Sequence, residues 1–435
     1  MSFVYSRTAA DIAKRALKLI RVVDAELPAQ GIDRQNAFDG LNGFVKYLQT
    51  KGFNLWRETE AYLPLVVGQE KYTLGPNGDR CFNVDDFVLT QLAVDQITGD
   101  TVLNLNSTTG IEAAPNLFGF DPTITTQNWS VTDGTLSVSS GLVITNTTGQ
   151  AEASYSFDTE FGKTYIIEFT FTAGTSLTGV AEATDFDGII NSVAVTTNGV
   201  VRLEFTARQT TTNFIFRNDS AVATEDNTIA GLSYINKSEG DQIGIFLDDG
   251  SLFWSNAIYL SPFEIADQLP SDASTGNLVY AYSELIPRPM SVTNTRYRDN
   301  ISASEIPTTE WTRKEYFEQP DKSTQGIVTK WYYSPQLANG ELYVWQPVNL
   351  NTALLAISYI RPLEVTDDNA DNTDFPSEWF DLLSFGTAYR LMAEYSVPDN
   401  VAATVMQQYN ELLDAALGFD NDGSISIKID YEGTR

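Results

Sequence analysis

Histidine is absent from this chain, and cysteine occurs once, at Cys81. Without histidine there is no Ser-His-Asp or Cys-His nucleophile, no His-ligated zinc and no imidazole pH switch. A single thiol makes neither an internal disulfide nor a cysteine metal cluster, so Cys81 reads as a small core residue. Cations are scarce as well: 27 Lys/Arg stand against 57 Asp/Glu, a formal net charge of −30 over 435 residues. Affinity for a phosphate backbone comes from Lys and Arg releasing counterions, so this balance argues against a tight grip on nucleic acid and suits a soluble chain that repels DNA. No apolar run approaches the ~18 residues of a spanning helix, which excludes a helical membrane anchor. Residues 1–10 lack the apolar stretch and cleavage site of a signal peptide, so no leader is expected. N-x-S/T triplets such as Asn128-Trp129-Ser130 then carry little meaning.

What is present is enough apolar content, 42%, for roughly two to four domains. Residues 7–27 read as a helix, with Ile12, Ala16, Leu19, Ile20 and Val23 on one face. Pro28 and Gly31 break it. Asp33 caps a second helix carrying Ala37, Leu41, Val45 and Leu48, and the two are expected to pack as a hairpin. Arg7, Lys14, Lys18 and Arg21 fall near one side of the first helix. Residues 1–56 hold eight Lys/Arg against five Asp/Glu, so this face is either a solvated surface or a contact for an acidic partner.

Residues 327–362 read as three consecutive strands, with Asn339-Gly340 as a tight positive-φ turn between the first two. Short strands are expected at 63–67 and 71–74, and a short helix at 310–318. Two closing helices follow, marked by Leu382, Gly386, Tyr389 and Ala393, then by Val405, Tyr409, Leu412 and Ala416. In the tail, Ile425, Ile427, Ile429 and Tyr431 alternate strictly, the pattern of a half-buried strand.

Residues 114–238 are rich in Thr, Ser and Asn and show seven short alternating segments about ten residues apart, with 229–235 as a last strand. That spacing predicts a two-sheet sandwich resembling the jelly rolls found as carbohydrate-binding modules. Trp129 is either a sugar platform or a core side chain, and the core is the expectation. Asp185, Asp187, Glu225 and Asp226 are candidate calcium ligands or surface turn residues; Asp248-Asp249 reads as a turn. On either side, 85–113 and 239–286 look like two halves of one small β module.

With 85–286 set aside, a compact pattern remains. It contains Val67-Gly68-Gln69-x-x-Tyr72-Thr73-Leu74, Arg288-Pro289, and Tyr333-x-Pro335-Gln336 followed by Asn339-Gly340-x-Leu342-Tyr343-Val344-Trp345. This pattern resembles the head-to-tail adaptors of short-tailed phages, also called tail accessory or packaged-DNA stabilisation proteins. The resemblance covers 1–78 and 287–418. It implies a virion protein of the head-tail junction, made in the host cytoplasm, forming a homo-oligomeric ring, a dodecamer. Portal protein on one side and tail nozzle and fibre proteins on the other are the implied partners, with double-stranded DNA passing through unbound.

The expected fold class is therefore α+β and multidomain. Residues 1–84 and 287–435 form a helical adaptor core with a β meander; a nested all-β insertion adds the small module and the 114–238 sandwich. The expected function is a structural adaptor. Ile425, Ile427, Ile429 and Tyr431 are the candidate portal-binding residues, and Arg7, Lys14, Lys18 and Arg21 the candidate subunit or portal contacts. The alternatives are a carbohydrate-binding tail component or a cell-wall-degrading one. Glycoside hydrolysis needs only two carboxylates, and among 57 no pair stands out. No catalytic residue, cofactor, metal or membrane partner is expected.

Overall fold

The computed structural model describes residues 8–23, 31–51, 57–299, 304–364 and 373–419. Contacts divide the chain into two units, Met1–Asn83 with Leu285–Arg435, and Val84–Glu284. Among the described residues, strand makes up 40% and helix 20%, in five sheets. This corrects the expected fold class, because the chain is mainly β. The reason lies in the first unit, where the helices are accompanied by two full sheets rather than by one meander.

One of these sheets has the strand order Ser304–Pro307, Ser291–Asp299, Ala353–Ile360, Glu58–Pro64, Phe82–Asn83. The other runs Lys71–Leu74, Gly340–Trp345, Lys330–Ser334, Thr309–Glu310. Lys330–Ser334 and Gly340–Trp345 pair as a hairpin, as the sequence suggests. The third expected strand does not continue it: Ala353–Ile360 leaves for the other sheet and pairs with Glu58–Pro64 and Ser291–Asp299. Its residues Ala353 through Tyr359 are all buried, so it suits a central position with neighbours on both sides. The Asn339-Gly340 turn is also different. Neither residue has positive φ. Gly340 is required for space, since a Cβ there would run into the Tyr333 ring. The strand expected at 63–67 is Glu58–Pro64 and does not pair with Lys71–Leu74. A shared core of Leu63, Tyr72, Trp331, Leu342, Ile357 and Tyr359 joins the two sheets, with Cys81 fully buried in it.

The first helix is Ala9–Leu19, shorter than 7–27. Thr8 caps it, with its hydroxyl accepting from the Asp11 N–H and the Asp11 carboxylate returning to Thr8. It ends at Ile20, and Arg21 lies beyond it at φ +60°. The helices Gly31–Thr50, Phe380–Leu391 and Asp399–Phe419 complete the cluster. Their cores contain Ile12, Leu41, Phe44, Leu383 and Tyr409, and Ala16, Leu17, Leu391 and Val405. No helix among the described residues is long and apolar enough to cross a membrane.

The second unit holds the other three sheets. A small sheet, ordered Phe263–Ile265, Leu252–Leu260, Gln242–Phe246, Leu278–Tyr282, Val88–Gln91, draws its strands from both flanks of the sandwich segment. The sandwich itself has ten strands, where the sequence suggests eight. Its front sheet runs Gly188–Val195, Gly179–Asp185, Thr211–Asn218, Glu152–Asp158, Trp129–Thr132. Its back sheet runs Gly199–Thr206, Thr164–Ala173, Asp226–Asn236, Leu142–Asn146, Gly134–Val138. Phe169, Phe171, Phe214, Phe216, Phe205 and Ile167 fill the space between them.

Candidate functional site

The register of the front sheet sorts its residues by face. Ala181 and Ala183, Phe214 and Phe216, and Ala153, Tyr155 and Phe157 point into the core. Period two then places Glu182 and Thr184, Asn213, Ile215 and Arg217, and Glu152, Ser154 and Ser156 on the outer face. That face is polar and held in place. Arg217 donates from Nη1 to Glu152 Oε1 and from Nη2 to Glu182 Oε1, both at 3.3 Å. The Ser156 hydroxyl donates to Asn213 Oδ1 at 2.5 Å. Glu182 and Thr184 are buried despite facing outward. Carboxylates, a guanidinium, an amide and hydroxyls on one face offer both donors and acceptors to a hydroxyl-rich ligand.

At the end of the sheet next to Thr184, three loops meet. The loop after Thr206 is the keystone. Its Ala207 carbonyl accepts from the Gly162 N–H at 2.8 Å, and its Gln209 carbonyl accepts from Thr159 Oγ1 at 2.9 Å. Arg208 donates to both oxygens of Asp185, Nε to Oδ2 at 3.0 Å and Nη2 to Oδ1 at 3.2 Å. Gln209 Nε2 donates to Asp187 Oδ2 at 3.0 Å. The Asp185 side chain is 0% exposed, so this is a bidentate pair with one partner fully desolvated. The braced loops carry two solvent-facing rings, Phe161 at 77% exposure and Phe186 at 93%. Below them, burial pushes the Tyr234 hydroxyl up to about 12, and that hydroxyl donates to the Asp158 carbonyl at 3.3 Å.

Trp129 is not among these surface rings. It is 9% exposed, donates Nε1 to the Pro122 carbonyl at 3.0 Å and packs on Tyr155 and Phe214. The candidate calcium ligands are otherwise engaged: Asp185 by Arg208, Glu225 by the Ser220 hydroxyl, and Asp226 by Thr175. Among the described residues no three acidic or thiol groups cluster to hold a metal. Asp248 and Asp249 accept from Ser274, Asn277, Ser251 and Ser271, which is a turn network.

Of the residues suggested as contacts, Lys14 and Lys18 stand one turn apart on the first helix. They line a groove of about 630 Å³ with Arg15, Asp11, Ser377, Glu378, Phe380 and Asp381, where carboxylates match the cations in number. Arg21 is off the helix, so it does not share their face. Arg7, Ile425, Ile427, Ile429 and Tyr431 lie outside the described residues. Sequence reasoning missed Phe161 and Phe186. The signal that pointed near them was the flanking pair Asp185 and Asp187, which frames Phe186.

No protein-family model matches the chain, and no curated protein matches it. Among solved structures, the chain is similar to the CBM22-1 xylan-binding domain of Paenibacillus barcinonensis Xyn10C, at 15% identity over 29% of this chain and 96% of that one, TM-score 0.23. It is similar to a family 35 carbohydrate binding module from Clostridium thermocellum, at 12% identity over 27% and 97%, TM-score 0.21. It is also similar to the enzymatically active domain of tailspike protein 4 of bacteriophage CBA120, at 17% identity over 26% and 20%, TM-score 0.21.

Proposed function

We propose that the sandwich is a carbohydrate-binding module, reading glycan through the end that carries Phe161 and Phe186 and the adjoining polar front face. One observation carries this: two large aromatic rings stand almost wholly in solvent on loops that are locked to a common third loop. Leaving a phenylalanine in water forgoes roughly 1.5–3 kcal/mol of burial. A ring held that way on a rigid base is preorganised to stack on the apolar face of a sugar, while fixed polar groups take its hydroxyls. The test is a glycan array probed with the full chain and with the Phe161→Ala/Phe186→Ala double variant. The reading expects at least one glycan signal that the double variant loses by tenfold or more, about 1.4 kcal/mol. A chain that binds no glycan, or a variant that binds equally well, refutes it.

A second reading concerns the first unit, which we propose serves as the head-to-tail adaptor scaffold that displays the module. Its support is the convergence of the three motifs behind the resemblance. Tyr72 sits opposite Leu342 and Thr73 opposite Glu341 in one sheet. The Tyr333 hydroxyl donates to the Pro289 carbonyl at 2.6 Å, and Arg288 Nη1 donates to the Gln336 carbonyl at 3.0 Å. Segments more than 200 residues apart in sequence thus form one cluster. Electron microscopy of the full chain mixed with the portal protein of its virion tests this: rings seated on portal support it, and a monomer that never associates counts against it.

A further inference from the structure

We infer that the module takes an uncharged glycan and turns anionic ones away; this rests on the carbohydrate reading and narrows its ligand class. Val84–Glu284 holds 26 Asp/Glu against five Lys/Arg, a net of −21. Four of those cations are already bound by carboxylates: Arg202 by Glu168 and Glu264, Arg208 by Asp185, Arg217 by Glu152 and Glu182, and Lys237 by Glu204. The fifth, Lys163, is exposed on the loop beside Phe161, where Asp158 and Glu160 are exposed too. A uronate, sulfate or phosphate arriving at the front face meets a guanidinium flanked by two carboxylates. Any anion that pairs with Arg217 then lies beside the carboxylates of Glu152 and Glu182, which already hold its Nη1 and Nη2. At the loop end, Arg208 is already spent on a carboxylate with no access to water. Like charges so placed disfavour the wrong partner while leaving hydroxyl recognition intact. The field reaches about 8 Å at physiological ionic strength, far enough to cover a sugar stacked on either ring.

The experiment is calorimetric titration of the full chain at low and high salt. The neutral probes are β-1,4-linked gluco-, xylo- and manno-oligosaccharides; the anionic probes are oligogalacturonate and chondroitin sulfate fragments. At least one neutral probe should bind, with an affinity changing less than about twofold with salt, and the anionic probes should bind about tenfold more weakly or worse at low salt. Removing the flanking charges in Glu152→Gln/Glu182→Gln should raise anionic binding about threefold or more. Because that change touches the sheet face, a second variant, Asp158→Asn/Glu160→Gln, alters exposed loop charges instead and should also raise anionic binding while leaving neutral binding as it is. Tighter binding of an anionic probe by the unaltered chain, or no gain in either variant, overturns the charge filter and leaves the carbohydrate reading standing. Binding of no probe at all overturns both.

Discussion

Asp185 shows how single residues decide the site. Its carboxylate is out of water and is neutralised by Arg208, whose guanidinium is half exposed. Arg208→Ala leaves that charge with the Asp187 N–H as its remaining described donor. The expected cost is about 1.5–3 kcal/mol, read by urea unfolding, with Asp185→Asn/Arg208→Ala recovering part of it. Trp129 marks the opposite case, a ring that belongs to the core. Trp129→Phe loses one hydrogen bond and some packing, so stability should fall while glycan affinity of the folded protein stays the same. Charge at turns sets the acid response. Asp95 is held below the usual carboxylate range by the Thr275 N–H and hydroxyl, Asp248 by Ser274 and Asn277, and Asp249 by Ser251. Their folded values lie below the unfolded value of about 3.9. The stability they contribute is therefore present above that pH and lost as pH falls through the depressed values. Asp241, raised chiefly by burial, works in the other direction. Melting temperature measured against pH should hold steady from neutrality to about 5 and drop below about 4, with Thr275→Val softening the drop.

Among the elements, the sequence made most of the sandwich legible, because large side chains alternate along 155–157, 165–171 and 214–216 and the turns between them are polar. It concealed Gly179–Asp185, whose inward residues are Ala181 and Ala183. Small side chains give little period-two contrast, although they are what lets the neighbouring phenylalanines fill the core. Ala353–Ile360 was legible as a strand, but its partners were not, since adjacency in sequence pointed to the hairpin while burial on both faces sends it to the middle of the other sheet. Phe186 was illegible because an exposed phenylalanine and a buried one look alike in sequence; the Arg208 brace that fixes it comes from another loop. Helix packing was partly legible. The spacing puts Gly386 on a packing face, and its Cβ position is occupied by the Phe44 ring. Gly386→Ala should therefore cost about 1–3 kcal/mol through overpacking of Gly31–Thr50 against Phe380–Leu391, measured by denaturant midpoint.

For the whole molecule, the second unit is an insertion into a closed first unit. The Ile286 N–H donates to the Cys81 carbonyl at 2.9 Å, so the chain leaves and returns at adjacent points of the first unit. Replacing Val84–Glu284 by a short Gly-rich linker should leave a folded first unit with near-ultraviolet dichroism of a packed core, because closing a short loop there costs little. Such a chain should also lose all glycan binding. Glycan binding through Phe161 and Phe186 is read out by affinity electrophoresis of the full chain in native gels containing neutral polysaccharide, run beside Phe161→Ala/Phe186→Ala. The unaltered chain should be retarded by at least one neutral polysaccharide, and the variant, equally folded, should migrate as it does in an empty gel. Equal migration of both proteins in every gel, or equal retardation of both, would contradict it.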